Sequence, residues 1–144
     1  MPATPRSRAE RLLLYAALFY AAAFLVHTGD HLRRGFSVES AAVLVAGSLA
    51  GVLQLFAITL VLMRHRLAPV VAVVVGFTDA VGIAVVHLLP HWSSLSDAFP
   101  GAHGTGVTAF SWVAALVEIG GALAFGAAGL YALRDGIVAA PTAA

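Results

Sequence analysis

Cysteine is absent from this 144-residue chain, and so is lysine. Without cysteine there is no disulfide, no iron–sulfur cluster and no thiolate metal site, so any bound metal must be held by nitrogen and oxygen. The absence carries no information about compartment. All eight basic residues are arginine. Together with the abundance of Ala, Val and Gly, we read this as the compositional bias of a GC-rich bacterial genome rather than as a functional signal. Charge of either sign is scarce: charged residues make up 10% of the chain and hydrophobic residues 60%. An ordinary soluble domain is about 45–50% apolar and about 25% charged. So few charges cannot cover a soluble surface, whereas a bilayer accepts an apolar exterior. The net charge of +1 gives no reason to expect a nucleic-acid partner. Phosphate loops and nucleophile–base pairs of recognisable spacing are missing as well.

What is present is long apolar runs. Crossing about 30 Å of hydrocarbon takes roughly 20 mostly apolar residues. Four segments qualify, at about 12–32, 41–63, 67–89 and 107–133. The expected fold is therefore all-α and integral to the membrane: a bundle of four transmembrane helices over residues 12–133, with an N-terminal segment 1–11 and a tail 134–144 on the cytoplasmic side. Arg33, Arg34 and Gly35 end the first helix, and Glu39 and Ser40 open the second. Arg64, His65 and Arg66 make a tight turn before the third, Pro69 sits in its first turn, and Pro90 stops or kinks it. The stretch 91–106, rich in Ser, Gly and Pro, is the longest connection. No polar boundary follows Ala21–Ala23, so the first run reads as a retained span and not as a cleaved signal peptide.

Arginine sets the expected orientation. With the N-terminus inside, Arg6, Arg8, Arg11, Arg64, Arg66 and Arg134 lie on the cytoplasmic side, and only Arg33 and Arg34 lie outside. The expectation is a multi-pass protein of the bacterial inner membrane with both termini inside. Its partner is the lipid bilayer, and a homodimer or a larger membrane complex is open to it. Gly47 and Gly51 on the second helix, and Gly120, Ala124 and Ala128 on the fourth, have the small-xxx-small spacing that allows close helix approach, with packing inside the chain as the simplest use. A V-H-x-x-x-H pattern ends both the first helix (Val26, His27, His31) and the third (Val86, His87, His91), as a tandem duplication of helical hairpins would leave it.

Chemistry is concentrated in histidines and in a few mid-membrane polar groups. His27, His31, His87, His91 and His103 all fall on the outer side, and only His65 on the inner. Residues i and i+4 share a helix face, so His27 and His31 can serve one ion, with Asp30 on the same arc and His87 and His91 brought in by the third helix. The metal set is then His27, Asp30, His31, His87 and His91, suited to Zn, Cu or Fe. The alternative cofactor is one haem b held between His27 and His87, with Arg33 and Arg34 on its propionates. A third possibility is that each ring sits alone at the interface because it is amphipathic. Asp79, Glu118 and Gln54 reach roughly mid-bilayer at 1.5 Å rise per residue, where a polar group marks a proton or ion path or holds helices together. The functional expectation is a histidine-rich metal or haem site near the outer face, in redox or metal handling. Its rivals are a non-catalytic accessory subunit and a dimeric proton-coupled carrier of a small solute.

Overall fold

The computed structural model describes residues 5–139, all helix, turn and loop, with no strand among them. Residues 1–4 and 140–144, the outermost parts of the expected N-terminal segment and tail, lie outside the described residues. Four helices are long and apolar enough to cross a membrane. They are α1 (Arg8–Arg34), α2 (Ala41–Leu62), α3 (Ala68–Ile83, continued by a π-helical turn over Ala84–Leu88) and α4 (Ala109–Ala139).

Local chemistry sets the ends. Ser7 caps α1 in a reciprocal box: its hydroxyl accepts from the Glu10 N–H, and the Glu10 carboxylate accepts from the Ser7 N–H. The helix therefore begins inside the arginine-rich segment, ahead of the apolar run. It stops at Gly35, whose φ of +85° suits glycine and whose N–H returns to the His31 carbonyl. The Ser40 hydroxyl caps α2 by accepting from the Val43 N–H. Pro90 forces Leu89 into extended backbone, ending the third span.

α4 packs against both α1 and α3, and α2 packs against the same two helices from elsewhere. Going round the bundle, the order is α1, α4, α3, α2, so α1 and α3 face each other across its interior. The α4 seams are built from small residues, which matter in lipid because no hydrophobic force draws helices together. A Cβ on Gly76 of α3 would stand 2.6 Å from the Ala122 carbonyl oxygen, and one on Gly129 would stand 2.7 Å from the Pro69 carbonyl oxygen. The spacing expected on α4 marks the wrong face: Gly120 and Ala124 are exposed, and Gly121, Gly126 and Gly129 make the close approaches. On α2, Gly51 meets the Phe24 ring at 3.2 Å, and Gly47 meets nothing. Tyr20, Phe125 and a set of alanines fill the core, while large apolar side chains such as Leu25, Leu49, Val81 and Val113 cover the outside, as in a bundle solvated by lipid.

The loop 89–108 is fastened to the end of α3. The last carbonyls of a helix lack partners within it, and in an apolar setting they must find them elsewhere. The Trp92 indole N–H donates to the Val85 carbonyl, the Asp97 N–H to Val86 and the Phe99 N–H to His87. The same loop is fastened to α1, because the Arg34 guanidinium forms a two-pronged pair with the Asp97 carboxylate at 2.7 and 2.6 Å. The helix ends that carry histidine are thereby held to one another.

Candidate metal centre

Three histidines meet in the interior at this end of the bundle. His27 and His31 stand one turn apart on α1, with ring centroids 4.7 Å apart and stacked. His87, on the π-helical turn of α3, reaches across from the opposite side, its ring 4.8 Å from His27 and 5.4 Å from His31. The wider π turn is a local departure that often marks functional positions. One ring nitrogen from each histidine lies within 4.8 Å of the other two. His27 and His87 are 5% and 4% exposed, enclosed by the bundle rather than splayed out from its surface. His27 lies about 10 Å along the helix from Arg34 at 1.5 Å per residue.

Each ring is held from behind by an acceptor on its Nδ1. His27 Nδ1 pairs with Glu118 of α4, and His31 Nδ1 pairs with Glu39, next to the α2 cap. His87 Nδ1 lies 3.1 Å from the Asp97 carbonyl oxygen and 3.4 Å from its carboxylate. A carboxylate or carbonyl can only accept, so each Nδ1 carries the proton and the lone pair stays on Nε2. The Nε2 atoms of His27 and His31 then face each other at 3.1 Å. Two lone pairs opposed at that distance repel unless a proton on one ring, making an N–H···N hydrogen bond, or a metal ion lies between them. Nitrogens sharing one tetrahedral ion at bond lengths of about 2.0–2.1 Å stand roughly 3.3–3.4 Å apart. Metal-bound histidines characteristically donate their other N–H to a carboxylate or carbonyl, which fixes the tautomer and raises ligand basicity.

Searches of protein-family models, curated proteins and solved structures find no match to this chain. The reading of the site therefore rests on its own geometry.

Not all of the residues expected at the site are there. Asp30 is fully buried but turned away: one carboxylate oxygen binds the Arg33 guanidinium at 2.8 Å, and the other has no partner. His91 is exposed and outside the cluster, as is His103. The two H-x-x-x-H patterns are not equivalent, because α1 stays helical through His31 whereas the third span ends before His91. The haem geometry is not met either. His27 and His87 approach edge-on at 65°, with no flat gap between them for a macrocycle. Arg33 is engaged by Asp30 and the Gly106 carbonyl, and Arg34 by Asp97.

Of the mid-membrane groups, Asp79 is half-buried and accepts a hydrogen bond from the buried Tyr20 hydroxyl. The Gln54 amide donates to the Tyr20 carbonyl at 3.5 Å. Glu118 belongs to the histidine site. A count of residues places it mid-bilayer, yet its depth of about 13 Å from the start of α4 at 1.5 Å per residue is close to that of His27. Glu39 and Asp97 had no sequence signal of their own. A lone loop acid opposite a lone buried arginine is the clue that could have paired Asp97 with Arg34. Glu39 and Asp97 also form a group with His31 whose ligand atoms lie within 4.8 Å, but both carboxylates already hold histidine or arginine.

Glu118→Gln tests the role of these acceptors. It keeps the size of the side chain but removes the charge that orients His27. Losing such a partner typically weakens metal affinity by about 10–100-fold. The same loss is expected here, measured by competition with a chelator of known affinity on the purified protein. Unchanged affinity would remove Glu118 from the site.

Proposed function

We propose that this protein is a membrane-embedded transition-metal protein that binds one ion through His27, His31 and His87. The observation that carries the reading is the convergence of three imidazoles, two buried and the third half-buried, each with its Nδ1 engaged by an acceptor and its other nitrogen left for a ligand bond. Nitrogen donors of this kind suit Zn, Cu or Fe. The arginine bias of the sequence supports a position for the site on the outer side of the membrane.

Three protein ligands leave one position free, and the cluster lines a cavity of about 550 Å³. Catalytic zinc sites have three protein ligands with the fourth position left to water or substrate, whereas structural sites use all four. The arrangement thus favours metal-centred chemistry or metal handling over a purely structural ion. An ion bound here would act as a Lewis acid on an oxygen at its fourth position. The chain's own part is to orient three rings through Glu118, Glu39 and Asp97, whose acceptors on Nδ1 fix the tautomer that turns each Nε2 lone pair toward an ion.

The test is elemental analysis of protein purified from native membranes without chelators. One equivalent of a single transition metal per chain is expected. His27→Ala and His87→Ala should each reduce it to background, while His91→Ala should retain it. A metal-free wild type, or equal loss in His91→Ala, would overturn the assignment and favour an accessory membrane subunit whose polar residues join helices.

A further inference from the structure

The cavity beside the histidines extends well beyond what an ion needs. Its volume of about 550 Å³ falls within the roughly 300–1,000 Å³ typical of small-molecule sites. It runs between α1, α2 and α3. At one end are His27, His31, His87 and Glu118, and farther along are Asp79 and Gln54. Between these polar groups the wall is apolar, with Phe24, Val43, Leu44, Ile83 and Val86.

The cavity reaches the outer surface of the bundle. Ala46, Gly47, Ser48, Val52 and Leu55 of α2 line it and are exposed, as is Gly82 of α3. These α2 residues lie in the middle of a membrane-spanning helix, so the opening is at hydrocarbon depth. Gly47 and Gly82 are not packing glycines: a Cβ on either would meet no atom within 4 Å. Glycine costs a helix interior roughly 0.5–1 kcal/mol relative to alanine, and close packing, the usual return on that cost in lipid, is missing at both positions. What the two glycines do leave is space in the cavity wall.

We infer that this cavity receives, laterally from the bilayer, a lipid-soluble molecule with an apolar body and an uncharged oxygen-bearing head, an alcohol or carbonyl, and places that head at the fourth position of the metal. The inference rests on the metal reading above. An apolar body matches the wall between the polar groups and an entrance that faces lipid. An uncharged head suits a site where a divalent ion and Arg34 already stand among the carboxylates of Glu118, Glu39 and Asp97. The side chains at Gly47 and Gly82 are absent because the body of the ligand occupies their place.

The probe is 1-decanethiol, which binds cobalt as the thiolate, releasing its proton to the buffer, and gives a sulfur-to-cobalt charge-transfer band. It tests where the apolar body lies and whether its head reaches the metal, not the charge of that head. The full chain is loaded with Co²⁺ in lipid nanodiscs and titrated with decanethiol, and separately with 2-mercaptoethanol, which shares the head but lacks the body. Gly82→Leu and Gly47→Leu are expected to weaken decanethiol binding by about tenfold or more, because a leucine side chain replaces apolar area the ligand would otherwise bury. Both should leave the ligand-field spectrum of the bound cobalt and the response to mercaptoethanol unchanged. Gly120→Leu, on an exposed face of α4 outside the cavity, should change nothing. Decanethiol binding that is indifferent to both cavity leucines, or weakened equally by Gly120→Leu, overturns the inference while the metal site stands. Loss of the cobalt spectrum in both cavity variants would make the glycines packing residues and overturn it too. A wild type that takes up no cobalt overturns the metal reading, and this inference with it.

Discussion

Asp97→Ala is expected to destabilise the bundle by about 3–5 kcal/mol and to abolish high-affinity metal binding. The figure is that for removing one partner of a buried ion pair, which leaves the other charge uncompensated. Here the remaining charge is Arg34, whose side chain is wholly inaccessible. The same substitution frees the loop from the end of α1 and removes the carboxylate beside His87. Asp97→Asn keeps the shape and some of the hydrogen bonds, and should cost less. Acid separates the electrostatic part from the rest. Burial pushes the Asp97 carboxyl up, but the hydrogen bond from His87 and the Arg34 guanidinium prevail and hold it well below the usual carboxylate range. A carboxyl depressed in the folded state stabilises the fold at every pH above its unfolded value of about 3.9, and that contribution fades as the pH falls further. The stability gap between wild type and Asp97→Asn in metal-free protein should hold from neutral pH down to about 4 and narrow in stronger acid. Thermal unfolding monitored by circular dichroism across that range reads it directly. A gap that widens in acid would contradict the pairing.

Gly76→Val is expected to disrupt the α3–α4 seam, with a cost at or above the roughly 1–3 kcal/mol usual for overpacking. The added Cβ would lie 2.6 Å from the Ala122 carbonyl oxygen and 2.7 Å from the Gly126 nitrogen. Both are backbone atoms, so no rotamer change relieves the clash, and the helices must separate. Gly126→Ala should be milder, since the atoms it meets belong to the Phe77 ring. Gly120→Val should be silent. Ranking the three by melting temperature, or by resistance to unfolding in a denaturing detergent, tests the seam. Equal tolerance of Gly76→Val and Gly120→Val would mean that α3 and α4 do not meet as described.

Hydropathy and length made the four helices legible in the sequence, because a segment in lipid must satisfy its own backbone and be apolar over a fixed distance. The i, i+4 pairing of His27 with His31 could be read the same way, since periodicity is a local property, whereas their meeting with His87 followed only from taking the outer ends of the first and third helices as neighbours. The departures came from residues whose partners are remote in sequence. Asp30 shares the histidine arc in a helical projection, yet it turns to Arg33, a contact that also brings in Ser111 from α4. His91 repeats a pattern but lies past the proline that ends its helix. Glu118 was visible as a mid-membrane acid, but its match to His27 depends on how α1 and α4 are staggered, which no local pattern encodes. The glycines of α4 show the same limit, since spacing identifies small residues without identifying which face meets a neighbour.

The divided origin of the three rings has a bearing on biogenesis. His27 and His31 emerge from the ribosome with the first helix, whereas His87 and the Asp97 loop that fastens it arrive some sixty residues later, several seconds at about 5–20 residues per second. Until then the nascent hairpin of α1 and α2 displays two imidazoles and no third. The cluster cannot close before the third span is inserted and its loop has docked on Arg34. If the site binds metal as proposed, capture would report that the third span and its loop are in place, and a chain truncated short of His87 would enter the membrane with two of the three rings.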